Sequence, residues 1–134
     1  MTCFQGKGDQ PASFNLKRTG VIKAIRVKHI SGMIGCGGVA DNYWGCSHEL
    51  NKLRLIITSV NRYLLYPKES TGDSDQPANQ KYNVYSKELI LNFNRKFYRG
   101  TKGEILNIWF DEDFRNEFEE DNVGSVCVKI DVLY

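Results

Sequence analysis

Apolar residues alternate with polar ones along most of this chain. Val126, Val128, Ile130, Val132 and Tyr134 fall on one row, while Ser125, Cys127, Lys129 and Asp131 fall on the other. Side chains two apart share a face of a strand, so residues 125–134 predict a strand with one buried face. Leu89, Leu91 and Phe93 alternate with Glu88, Asn92 and Asn94 in the same way, with Ile90 adding some apolar character to the second face. In residues 51–60 Leu53, Leu55 and Ile57 form one row and Arg54, Ile56, Thr58 and Val60 the other, which predicts a strand covered on both sides. Further strands are expected at 20–30, 62–66 and 104–110, with a short one at 13–18.

Stretches with helical spacing are nearly absent, and clusters of Gly, Asn, Asp, Ser and Pro separate the alternating runs. About seven or eight strands without crossover helices predict an all-β fold, an antiparallel β-sandwich of jelly-roll type, with a closed β-barrel as the alternative. The expected organisation is a single β domain over 1–134, with 1–12 as an N-terminal arm. Residues 94–103 read as a connection or an extended hairpin. Two loops stand out: 67–80, which has little to bury, and the glycine-rich stretch from Gly32 to Cys46.

Composition narrows the class. At 134 residues, 41% hydrophobic and 25% charged, the chain has the make-up of one globular domain rather than a disordered segment. No apolar run approaches the ~20 residues of a membrane helix. The first residues lack the basic and apolar regions of a signal peptide, so an exported form is expected to have had its signal removed. The net charge of +2 conceals an asymmetry: seven carboxylates lie between Asp111 and Asp121 beside one Arg115, leaving 17 basic and 9 acidic residues elsewhere. A solvated acidic loop beside a lysine-rich surface is the simplest account.

Four cysteines, Cys3, Cys36, Cys46 and Cys127, lack the spacing of a zinc site, and only His29 and His48 could accompany them. Two disulfides fit better and imply an oxidising, extracellular setting; four reduced thiols in a cytosolic protein are the alternative. Cys127 lies on the row facing away from Val126 and Val128, so its partner must lie over the outer face or on a neighbouring strand. Cys3, in the expected arm, suits that position. Cys36 then pairs with Cys46 across a loop whose glycines permit a tight return.

Two segments carry candidate chemistry. Directly after Trp109-Phe110, the acidic run offers Asp111, Asp113, Glu119, Asp121 and Asn122 as oxygen ligands for Ca2+, a cation that takes six to eight such donors. The run lacks the central glycine of an EF-hand loop. Asp41, Asn42, Tyr43 and Trp44, inside the expected Cys36–Cys46 loop, combine aromatic rings with polar groups as a carbohydrate site requires. The competing reading makes Trp44 a core plug. Trp109, within a strand, is expected in the core. Catalysis is not expected: disulfide pairing would consume the thiols beside His48, and one contiguous acidic cluster cannot supply opposed acid and base. The basic stretch Arg95, Lys96, Arg99 and Lys102 near Phe97 and Tyr98 is too closely followed by acidic residues to suggest nucleic-acid binding.

Trp44-Gly45-Cys46 followed by a strand, then Ile108-Trp109-Phe110-Asp111-Glu112-Asp113, then Asp121-Asn122-Val123-Gly124-Ser125-Val126-Cys127-Val128, resembles a pattern in small secreted β-domains of invertebrate animals. The resemblance spans most of the chain from Gly20. In that pattern Tyr and Gly stand where this chain has Phe110 and Asp111. It implies an extracellular binding or matrix role and assigns no site residues. The expected function is therefore a secreted, calcium-assisted carbohydrate-binding module of lectin type that engages glycans or glycoproteins and can form a homo-oligomer. A structural or matrix protein, or a toxin acting through charged surfaces, is the alternative.

Overall fold

The alternating rows become two packed sheets. A computed structural model describes residues 1–7, 10–67, 81–93, 98–110 and 122–134. Among them are ten strands and no helix: β1 (Thr2–Gln5), β2 (Ala12–Asn15), β3 (Gly20–Ile22), β4 (Ala24–Gly35), β5 (Leu55–Ser59), β6 (Leu64–Tyr66), β7 (Glu88–Asn92), β8 (Tyr98–Gly100), β9 (Ile105–Phe110) and β10 (Val123–Leu133). The first sheet has the order β1-β10-β4-β7 and the second β2-β9-β5-β6, while β3 and β8 form a separate ribbon. Every pairing between these strands is antiparallel. The sheets do not close into a barrel, so the sandwich describes the fold and its alternative does not.

The core lies between the sheets. Phe4, Ile25, Val27, Leu89, Leu91, Val126 and Val128 enter it from the first sheet, and Ala12, Leu55, Ile57, Leu106, Ile108 and Phe110 from the second. Burying one large apolar side chain contributes about 1.5–3 kcal/mol, which explains why the apolar rows fix the faces of the strands. The second sheet is covered on both sides, as residues 51–60 suggest: Ile56 and Trp109 are buried although they face away from the core row. Polar groups on that face are paired. The indole N–H of Trp109 donates to Thr58 Oγ1 at 2.9 Å, and Ser13 Oγ donates to Asn107 Oδ1 at 2.7 Å.

Several boundaries differ from the sequence expectation. Residues 1–12, expected as an arm, contribute β1 at the edge of the first sheet and the start of β2. Residues 20–30 divide into β3 and β4 at Lys23, whose N–H donates to the Leu133 carbonyl while its own carbonyl accepts from Phe93 N–H. Tyr98–Gly100, expected within a connection, is a strand paired with β3. Strand β4 also continues three residues past Gly32, where a loop was expected.

Two glycines and a bulge explain that continuation. The β4–β10 register shifts between Cys127 and Val128, and beyond this point Gly32 lies opposite Val126. Gly32 has φ 85°, and a Cβ there would come within 2.3 Å of the Ser125 carbonyl oxygen. Gly124, with φ 87°, would place a Cβ 2.2 Å from the Met33 carbonyl oxygen. Only glycine lets the two backbones pass so closely in this conformation.

Both disulfides are formed. Cys3 lies directly opposite Cys127 in the β1–β10 register and is bonded to it, and Cys36 is bonded to Cys46. The first bridge ties the edge strand to β10, and the second anchors the segment that carries the candidate site.

Candidate functional site

The segment from Asp41 to Cys46 is held by its backbone before its side chains matter. Ile34 N–H donates to the Asn42 carbonyl at 2.7 Å, and Asn42 N–H returns to the Ile34 carbonyl at 3.1 Å. Tyr43 N–H donates to the Val84 carbonyl at 2.9 Å, and the Trp44 carbonyl accepts from Arg54 N–H at 2.8 Å. Strand β4, the 81–87 segment and the approach to β5 therefore clamp this stretch from three sides. The Cys36–Cys46 bridge closes the fourth.

Asn42 and Trp44 serve that scaffold rather than a ligand surface. Asn42 is fully buried, and its Oδ1 accepts from Trp44 N–H at 3.2 Å and Gly45 N–H at 2.7 Å, while its Nδ2 donates to Asp41 Oδ1 at 3.1 Å. Trp44 is 0% exposed, and its indole N–H donates to the Ser86 carbonyl at 2.6 Å. This corrects the expectation that both residues contact sugar: a ring with no exposed area cannot cover a sugar face, and Trp44 is the core plug of the competing reading. An inward Trp44 leaves its neighbour Tyr43 half-exposed.

Tyr43 is the centre of an aromatic platform. Its ring stacks on His29, with centroids 3.8 Å apart and planes inclined by 19°, and meets Tyr85 edge-on at 6.3 Å. Lys87 Nζ donates to the Tyr43 hydroxyl at 3.0 Å and lies 5.0 Å from the ring centroid. His29 Nε2 sits 2.7 Å from the Gly32 carbonyl oxygen, which can only accept, so this nitrogen carries the proton. The platform thus presents aromatic faces, a cationic donor and, on the adjoining segment, the Asp41 carboxylate. The Ser47 hydroxyl first, and the Asn42 amide second, hold the Asp41 carboxyl below the usual carboxylate range, so it is an acceptor at neutral pH.

Residues 49–54, between the site segment and β5, carry a charged group. Arg54, 3% exposed, bonds the Glu49 carboxylate, which Lys52 also approaches at 3.1 Å. Burial raises the Glu49 pKa, but the bonds from Lys52 and Arg54 outweigh it and leave the carboxyl below its ordinary range. Cys36 and Cys46 are spent in their disulfide, so neither is a thiol nucleophile for His48.

Sequence reasoning missed His29, Tyr85 and Lys87. They come from a strand and a loop far from Tyr43 along the chain, and nothing local distinguished them. Among the proposed calcium ligands, Asp111, Asp113, Glu119 and Asp121 lie outside the described residues. Asn122 is described and fully buried: its Nδ2 donates to the Gly6 carbonyl at 3.0 Å, while its Oδ1 has no hydrogen-bond partner. A buried amide oxygen without a donor suits a hard cation that binds oxygen, so the described part of the ligand set is compatible with calcium. Among the described residues, no three His, Cys, Asp or Glu side chains are grouped to hold a metal.

No protein-family model matches this chain, and no curated protein matches it. Its structure is similar to that of AJLec from the sea anemone Anthopleura japonica, with a TM-score of 0.84 and 26% identity over 99% of this chain and 92% of that one. The likeness extends over nearly the whole length of both. It supports the broader part of the sequence resemblance, to small β-domains of invertebrate animals.

Proposed function

We propose that this protein is a secreted, calcium-assisted carbohydrate-binding module of lectin type, acting as a binding protein rather than an enzyme. The observation that carries this reading is the Tyr43 platform: stacked rings held by a disulfide-anchored segment, flanked by Lys87 as donor and Asp41 as acceptor. The CH face of a pyranose would rest on the rings while its hydroxyls bond the flanking groups. Fixing the segment beforehand reduces the ordering cost of binding. Structural similarity to AJLec, a lectin, supports the same class of activity. Both disulfides suit an extracellular setting, where glycans and glycoproteins are the partners.

Calcium enters through Asp111, Asp113, Glu119, Asp121 and Asn122, which would hold it. Once bound it would neutralise the crowded carboxylates and offer remaining coordination positions to oxygen donors. A glycan array with calcium and with chelator tests the whole reading. Binding to a defined set of glycans that weakens with chelator and is lost in Tyr43→Ala is the expected result. Uniform, salt-sensitive retention on charged surfaces would instead favour a matrix protein or a toxin, whose contacts fade with ionic strength. Sedimentation of the protein in solution tests whether it forms a homo-oligomer.

A further inference from the structure

Strand β1 covers only part of its neighbour. It pairs with residues 125–128 of β10, whereas β10 runs on to Leu133. Backbone groups of a strand point alternately to its two sides, and the odd and even residues of β10 divide accordingly. The Leu133 carbonyl accepts from Lys23 N–H on the β4 side, and the Gly124 carbonyl accepts from Gly6 N–H on the β1 side. The Cα atoms of Cys3 and Cys127 are 3.9 Å apart, the closer spacing of an opposed pair that exchanges no backbone bonds. Even-numbered residues therefore face β1. Past Val128, Ile130 and Val132 turn their N–H and C=O groups to that side, where no described strand pairs with them. An edge left open in this way is a template for a further strand.

The open edge borders a cleft of about 340 Å³ lined from both sheets. Ile130, Val132 and Tyr134, on the inward row of β10, face it together with Phe14 of β2. A strand added beside β10 would send alternate side chains toward this apolar cleft, so its own inward row must be apolar. Free ladder groups at strand spacing are matched by another extended backbone, which a small ligand does not supply. The chain carries such a strand itself. β10 has free backbone groups at Ile130 and Val132 and an apolar inward row of Ile130, Val132 and Tyr134, so the edge is its own complement, as a two-fold interface requires.

We infer that two copies of this chain associate through residues 130–134, antiparallel β10 against β10, which joins their two four-stranded first sheets into one. Inward residues must oppose inward residues, so the two-fold axis passes through a residue, and the central choices are Asp131 and Val132. An axis at Asp131 would oppose two carboxylates on the outward row and set the second copy's Tyr134 opposite Val128, where Thr2 already pairs. Like charges directly opposite are destabilising. An axis at Val132 avoids both: Val132 opposes its counterpart, Ile130 opposes Tyr134, and the added strand stops short of β1. Tyr134 is already held in line, its hydroxyl donating to the Arg18 carbonyl at 3.0 Å and its ring centroid 4.3 Å from the Arg18 guanidinium. The interface does not depend on the glycan reading. It leaves the Tyr43 platform open, since Lys87 precedes β7 on the other edge of the sheet, and a dimer presents two platforms.

Sedimentation equilibrium from micromolar to millimolar concentration, with amide hydrogen exchange, tests the interface on the wild type and on Val132→Pro. Proline lacks the N–H that would bond the second copy, and within one chain that N–H has no strand partner, so the variant loses no ladder bond of the fold. The wild type should sediment as a monomer–dimer equilibrium. Val132→Pro should raise the dissociation constant at least tenfold while the amide spectrum away from residues 130–134 stays unchanged. In the wild type the Ile130 and Val132 amides should exchange quickly when dilute and slowly when concentrated, whereas those of Asp131 and Leu133, turned toward β4, stay slow throughout. A wild type that is monomeric at every concentration overturns the inference and leaves the edge to an extended peptide of another protein. A dimer that a folded Val132→Pro does not weaken overturns it as well. So does a dimer whose Ile130 and Val132 amides exchange as fast as in the monomer, and that measurement decides the question even where the proline variant does not fold.

Discussion

Tyr43 and Trp44 are adjacent in sequence but face opposite environments, and substitution separates their roles. Trp44→Ala removes a fully buried indole, and truncating a core Trp costs about 3–5 kcal/mol, so its chemical denaturation midpoint should fall sharply. Tyr43→Ala, which alters a half-exposed ring, should abolish glycan retention while shifting that midpoint little. Equal losses of stability in the two variants would contradict this division. Tyr98 provides a test by pH. Burial, followed by its hydrogen bond to Glu104, pushes its pKa up to about 12 from an ordinary value of 10.0. The folded state therefore retains this proton more tightly than the unfolded chain. Its contribution to stability is complete below pH 10 and is lost as pH rises toward 12. Denaturation midpoints followed through that range should decline more steeply for the wild type than for Tyr98→Phe, and parallel curves would remove Tyr98 as the cause.

At the scale of elements, the crossing of β4 and β10 depends on two backbones coming closer than a Cβ allows. Gly32→Ala forces an L residue to φ 85°, which costs about 1–2 kcal/mol before its overlap with the Ser125 carbonyl is added. Thermal unfolding should show a loss greater than that backbone cost, whereas Gly37→Ala, with open space around its Cβ position, should change little. The disulfides act on different spans. Cys36 and Cys46 are separated by 10 positions and Cys3 and Cys127 by 124. Chain entropy alone gives about 3 kcal/mol for the shorter loop and up to about 5 for the longer. Replacing Cys36 and Cys46 by Ser should weaken glycan binding more than its smaller effect on stability suggests, because that bridge anchors the Tyr43 segment. Unchanged affinity would show that the backbone bonds to Ile34 and Val84 suffice to hold it.

For the whole molecule, charge is the property that calcium would change. Seven carboxylates within eleven residues repel one another when converged, and a divalent cation bound only to the folded state stabilises by RT ln(1 + [L]/Kd), about 2.7 kcal/mol at a hundredfold excess over Kd. The thermal midpoint should rise with calcium, fall with chelator and respond poorly to magnesium, which demands tighter octahedral geometry. Asp111→Asn/Asp121→Asn should remove most of the response. Calorimetry with no calcium heat and no midpoint shift would falsify the metal proposal.

Much of the architecture was legible in the sequence because burial acts on strands with period two. The rows of β5, β7 and β10 could be read directly, as could the outward position of Cys127 that leads to Cys3. Short strands escaped: Thr2–Gln5 and Tyr98–Gly100 are too brief for alternation to register, and their pairing partners lie far away in the chain. Gly32 looked like the start of a loop because a glycine that ends a strand and one that permits a bulge are the same residue in sequence. Of the candidate carbohydrate site, the sequence alone determined the segment, 41–44, and the residue types suited to it. Only the tertiary structure decided which rings face outward, since Asn42 folding back onto the Trp44 and Gly45 amides turns Trp44 into the core. It also brought His29, Tyr85 and Lys87 to Tyr43 across more than a dozen residues of intervening chain, a convergence that depends on strand order and packing rather than on any local pattern.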